Sequence, residues 1–82
     1  MYKDLVMYIT KSLVNNADSI EITQEVKEDK TIALKIYVKK EDMGRMIGKE
    51  GRIIRSIRQL ISSYATKNGD KVMVDVLDLK EE

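Results

Sequence analysis

Gly44-Arg45-Met46-Ile47-Gly48-Lys49-Glu50-Gly51-Arg52-Ile53-Ile54 is the stretch that decides how this chain folds. Gly48 and Gly51 separate a short amphipathic run from a longer one that begins near Arg52. Without a Cβ, glycine lets the backbone turn tightly and lets another backbone come close. The helix expected after Gly51 directs unpaired N–H groups and the positive end of its dipole toward that turn. A phosphate placed there meets backbone donors, with Lys49 and Arg52 for charge and Lys49 screening Glu50. A nucleotide-binding P-loop is excluded, because that motif needs four residues between its glycines and Ser or Thr after its lysine. Here Gly44 and Gly48 enclose three residues, Glu50 follows Lys49, and a helix rather than a strand comes before.

Outward from this stretch the periodicity changes twice. Upstream, Tyr2, Leu5, Val6, Ile9 and Leu13 recur at helical spacing, and Asn15-Asn16-Ala17-Asp18 ends that helix. Ile20, Ile22 and Val26 then alternate as a strand, with Gln24 breaking the pattern. Lys27-Glu28-Asp29-Lys30 reads as a hairpin turn, and Ile32, Leu34, Ile36 and Val38 as a strictly alternating strand. A short helix is expected over Glu41–Ile47 and a longer one from Arg52 to about Lys67, with Ile53, Ile57, Leu60 and Tyr64 on its packing face. Asn68-Gly69-Asp70 supplies a left-handed helix stop. Val72, Val74 and Val76 alternate into a last strand that Leu77-Asp78-Leu79 extends, and Lys80-Glu81-Glu82 is expected to fray. The order helix, strand, strand, helix, helix, strand predicts an α+β sandwich, a three-stranded sheet with helices packed on one face. Strand order stays open; the helical connection is long enough for a crossover, so a mixed sheet is compatible with it.

With 82 residues, the chain is expected to be one domain, residues 1–82. Apolar residues at 43% argue against disorder, while 35% charged residues on so small a core place function on the surface rather than in a deep cavity. Cysteine is absent, which excludes disulfides and thiolate metal sites and favours a cytoplasmic location. Histidine is absent as well, removing the commonest general base and metal ligand. With no paired carboxylates in a site-like pattern, an enzyme, a cofactor and a metal are not expected. No apolar run approaches a membrane span, and the N-terminus does not open into a signal peptide. The net charge of +1 conceals an uneven distribution. From Lys39 to Arg58, seven basic residues face three acidic ones, a window of +4 that leaves −3 elsewhere. Basic charge gathered on one segment of a near-neutral chain fits a polyanion site.

Met46-Ile47-Gly48-Lys49-Glu50-Gly51-Arg52-Ile53-Ile54 resembles the KH signature V-I-G-x-x-G-x-x-I, with Met46 in the valine position. The element order resembles the type II KH arrangement of bacteria, and the likeness covers essentially the whole chain. The chain is most similar to small single-domain bacterial KH proteins of the KhpA type. That resemblance implies single-stranded RNA as partner, with the G-x-x-G loop clamping the backbone of about four nucleotides. It also implies a role as post-transcriptional regulator or RNA chaperone. Residue by residue, Gly48, Lys49, Glu50 and Gly51 form the clamp, while Ile47 and Ile54 hold the signature's apolar positions beside a base groove. Arg45, Arg52 and Arg55 are added as RNA-binding candidates from charge and position alone. Scattered Tyr2, Tyr8, Tyr37 and Tyr64, without Trp or Phe, speak against RNA modules that stack bases on sheet aromatics.

The long helix carries a wider apolar arc than one packing face needs. Ile54, Ile61 and Ala65 broaden it to roughly 140°. Met7, Tyr8 and Val14 lie off the main face of the first helix. Ile61 and Ala65 are therefore expected to be exposed at a dimer contact, with a second copy or, as the resemblance implies, with a larger KH-containing protein of the Jag type. A wide core-facing stripe is the competing explanation. A protein-interaction adaptor acting through such dimerisation is the alternative function.

Overall fold

A computed structural model describes residues 2–79. Helix α1 spans Tyr2–Leu13, strand β1 Glu21–Val26, strand β2 Ile32–Val38, helix α2 Met43–Ile47, helix α3 Arg52–Lys67 and strand β3 Val72–Asp78. Single 3-10 turns at Ala17–Ser19, Lys40–Asp42 and Lys49–Gly51 join them. The expected α+β order is observed, and the helix expected from Glu41 opens instead with the 3-10 turn. The expected fraying at Lys80-Glu81-Glu82 lies outside the described residues.

The sheet order is β1-β2-β3. β1 pairs antiparallel with β2 across the hairpin, from Glu21 opposite Tyr37 to Val26 opposite Ile32. β3 pairs parallel with β2, from Ile32 opposite Val72 to Val38 opposite Asp78. A parallel pair requires a crossover, and α2 and α3 supply it. The hairpin closes with Lys30 N–H donating to the Lys27 carbonyl at 2.8 Å, Lys30 itself at φ 73°. Asp29 Oδ1 accepts from Thr31 N–H at 3.0 Å, and that backbone bond holds the Asp29 carboxyl below its ordinary pKa. At the other end of the crossover, Gly69 at φ 82° turns the chain out of α3. Asp70 N–H donates to Ala65 O at 2.8 Å and Gly69 N–H to Thr66 O at 3.0 Å, the paired bonds of a Schellman stop.

The core lies between the helices and one sheet face. Leu34, Ile36, Val38, Ile22 and Val74 meet Val6 and Val14 from the α1 end, Met46 from α2, and Ile57, Ile61 and Ala65 from α3. The opposite sheet face, with Thr23, Glu25, Lys35 and Asp75, is exposed. Val14, expected off the helix face, is core. On α3 the expected packing face is rotated. Ile61 and Ala65 are completely buried, while Leu60 keeps 55% and Tyr64 40% of its surface. Ile61 and Ala65 therefore cannot form a contact between chains while the domain is folded. The apolar arc holds both stripes, and helical spacing alone cannot say which one the sheet covers.

Two polar ties fasten α1. At its start, Tyr2 donates its hydroxyl to Asp70 Oδ2 at 2.5 Å and packs edge-on against Tyr64, ring centres 5.8 Å apart. At its end, Asp42 is buried at 1% exposure. Its carboxylate accepts from the backbone N–H of Asn15 at 3.1 Å and of Asn16 at 3.0 Å, and from Asn16 Nδ2 at 3.0 Å. Burial pushes the Asp42 pKa up. The Asn16 side chain, the two backbone donors and nearby Arg45 outweigh it, so the carboxyl titrates below the ordinary value. This tie anchors the segment that leads into α2 and the glycine turn.

Candidate functional site

The turn between α2 and α3 takes a shape that demands glycine at its first end and favours it at its second. Gly48 has φ 76° and ψ 177°, and Gly51 φ 74° and ψ 17°. Between them Glu50 is left-handed as well, at φ 56°. Ile53 packs directly over Gly48: a Cβ there would lie 2.5 Å from Ile53 Cγ1 and 2.9 Å from Ile53 Cβ. Gly48 N–H donates to Gly44 O at 2.8 Å and Gly51 N–H to Gly48 O at 3.1 Å, so the turn is braced internally. The N–H groups of Lys49 and Glu50 have no backbone acceptor among the described residues. No side chain caps the start of α3. The loop thus presents backbone donors and the positive end of a 16-residue helix at an exposed surface.

The cations around the loop divide by what they touch. Lys49 is exposed and makes no ion pair among the described residues. Arg52 lies 3.7 Å from Glu50 in a solvent-exposed pair, a geometry that contributes little energy. Arg55 donates through Nη2 to the Glu50 carbonyl at 2.7 Å, so it braces the left-handed loop rather than standing free. Arg45 turns back toward Asn15, just after α1; with the Asn15 amide turned so that its oxygen faces the guanidinium, that oxygen accepts from Nε at 3.3 Å and Nη2 at 3.2 Å. Ile54 is buried yet stands apart from the main core cluster, and Ile47 is partly buried. Lys49 and Arg52 therefore gather at the loop, Arg55 supports it, and Arg45 faces another way.

The basic stripe continues to Arg58, which the sequence reading counts in the basic window but does not single out as an RNA-binding candidate. Arg58 donates through Nε to the Val74 carbonyl of β3 at 2.8 Å and through Nη2 to Asp75 Oδ1 at 3.2 Å. It lines an open cleft of about 290 Å³ between α3 and the free edge of β3, with Ser62, Val72, Met73, Val74 and Asp75. The spacing of Arg52, Arg55 and Arg58 was the available signal. What sequence lacked was the strand order that makes β3 an edge. Among the described residues, no group of side chains is arranged to hold a metal ion. No helix among the described residues is long and apolar enough to cross a membrane.

A mixed three-stranded sheet covered on one face by helices, with a G-x-x-G turn between two of them, is the architecture of a KH domain. Comparison with known proteins narrows this class: the chain belongs to the KhpA/KhpB KH domain family, whose profile matches residues 3–76. A protein of Listeria monocytogenes named RNA-binding protein KhpA is 38% identical over 93% of this chain and 99% of its own. Another of that name from Chlamydia caviae is 41% identical over 95% of this chain and 99% of its own. One from Aquifex aeolicus is 34% identical over 93% and 95%. No solved structure matches the chain.

Proposed function

We propose that this chain is a single type II KH domain that binds single-stranded RNA, clamping the sugar–phosphate backbone on Gly48-Lys49-Glu50-Gly51. The observation that carries this reading is the loop itself. Two glycines at positive φ bracket the Lys49 and Glu50 N–H groups, which have no backbone acceptor among the described residues, just before α3 and beside the unengaged ammonium of Lys49. The relatives named RNA-binding protein KhpA support the ligand class. Arg52 adds charge, Ile47 and Ile54 form apolar ground next to the loop, and Arg55 keeps the loop in shape. Arg45, held at α1, is a distal contributor of charge. The chain acts without catalysis, as a post-transcriptional regulator or RNA chaperone in the cytoplasm.

The test is anisotropy of a labelled short RNA, titrated with wild type and with Lys49→Asp/Glu50→Asp at several salt concentrations. Loss of one phosphate contact makes the log–log salt slope shallower by about 0.7 and weakens binding. Equal affinity and slope in a variant with an unchanged circular dichroism spectrum would exclude the clamp.

Exposed Leu60 and Tyr64 favour a second, compatible reading, an adaptor that pairs with another KH protein. One clamp on about four nucleotides binds weakly, and two linked clamps gain avidity. The partner is a second copy or a larger KH-containing protein of the Jag type.

A further inference from the structure

We propose that the cleft between α3 and the free edge of β3 is a base pocket in which Arg58 selects guanine over adenine. This rests on the RNA-binding reading above and adds to it a sequence preference. The argument starts from the register. Ile32 N–H donates to Lys71 O and Leu79 N–H to Val38 O, each at 2.8 Å, and the parallel pairing runs unbroken between them. Alternate residues of β3 therefore face β2, and Val72, Val74 and Val76 direct their N–H and C=O groups to the free edge. An open strand edge offers an incoming base both donors and acceptors. Arg58 changes that offer at the centre of the cleft.

The Arg58 Nε–H takes the Val74 carbonyl, and Asp75 holds one Nη2–H. Of the five N–H donors on a guanidinium, three stay unengaged among the described residues. The pocket centre is thereby converted from a mixed edge to one rich in donors. Guanine presents O6 and N7 side by side as acceptors, which a guanidinium can bridge with two bonds. Adenine presents N7 beside the N6 amino group, a donor facing donors. Its amino group also loses the strand carbonyl that would otherwise accept from it. Both effects have the same sign.

Position fits as well. Arg58 lies seven residues beyond Gly51, about 10 Å along the helix axis from the clamp. The cleft walls from Val72 and Met73 are apolar, and Ser62 is tolerant as donor or acceptor. Asp75 acts as a positioning residue for the guanidinium.

The test compares a short oligoadenylate with the same strand carrying one central guanine, by anisotropy at fixed salt. Wild type is expected to favour the guanine strand by about five- to ten-fold, the low end for a bidentate contact on a half-exposed arginine. Arg58→Lys keeps the charge without the fork, so it retains affinity for oligoadenylate and loses the preference. Arg58→Met loses the preference and binds oligoadenylate relatively better, because Val74 O is free again. Equal wild-type affinity for the two strands overturns the proposal, as does a preference that survives in both variants. Lys49→Asp/Glu50→Asp separates the two readings: it weakens both strands alike if the clamp holds the backbone. Should it leave binding unchanged, the clamp fails while the wild-type guanine ratio still judges the pocket. No binding of either strand by wild type overturns both.

Discussion

Gly48→Ala probes the loop at its most constrained point. At φ 76° and ψ 177° the residue lies in a region open essentially to glycine alone, and a side chain there costs about 1–3 kcal/mol. The new Cβ also meets Ile53. The contact to Ile53 Cγ1 at 2.5 Å yields to a rotamer change, but the one to Ile53 Cβ at 2.9 Å does not, since that atom is fixed to the α3 backbone. Overpacking of this kind adds about 1–3 kcal/mol. Local yielding of an exposed turn recovers part of the sum, leaving an expected loss of about 2–4 kcal/mol. In a domain this small that lowers Tm by roughly 10–25 °C. The assay is urea unfolding followed by far-UV circular dichroism. Gly44→Ala is the internal control: its Cβ would meet nothing within 4 Å in an ordinary helical turn, so it should stabilise by about 0.5–1 kcal/mol. Adding Ile53→Ala to Gly48→Ala removes the Cγ1 and Cδ1 contacts but keeps the 2.9 Å contact to Cβ, so the double variant should cost only slightly less than the two single changes together. A Gly48→Ala stability within about 0.5 kcal/mol of wild type would refute this reasoning, since surface changes without strain fall in that range.

Three further outcomes follow from contacts described above. Arg55→Gln releases the Glu50 carbonyl, so amide exchange at Gly51 and Arg52 should quicken with little change in Tm; unchanged exchange would mean that the glycines hold the loop alone. Asp42 has a folded pKa below the ordinary 3.8, so its stabilising share is complete above that value and is lost as pH falls through the folded pKa. Asp42→Asn should lower Tm at neutral pH and flatten the acid limb of a stability–pH curve, and an acid limb identical to wild type would contradict this. Leu60→Asp should leave the fold intact and reduce the assembled mass measured by light scattering, whereas Ile61→Asp, burying a charge in the core, should unfold the chain. An assembly unaffected by Leu60→Asp would remove that face as a contact.

Much of the fold was legible because it is written in local rules. Strict alternation over Ile32–Val38 specified a strand buried on one face, and the Asn68-Gly69-Asp70 stop formed the Schellman bonds that its residues allow. The glycine spacing marked the turn, and both glycines do take positive φ. The fine division of roles among arginines was not legible. Arg45, Arg52, Arg55 and Arg58 carry the same charge, yet one faces Asn15, one pairs weakly with Glu50, one braces the loop and one caps a strand edge. The side chain that meets each guanidinium comes from a distant part of the chain or from a loop conformation, and no spacing rule encodes either.

Sequence by itself determined the order of elements, the glycine turn and the basic segment, because each depends on backbone preference or on charge counted along the chain. The tertiary structure alone decided three things. It set β3 at the sheet edge, beside α3. It chose Ile61 and Ala65 for the core and left Leu60 outside. It also buried Asp42 at the junction of α1 and α2. The physical reason is common to all three: a helix or strand has a pattern of its own, but which of its flanks is covered depends on the neighbour that packs against it.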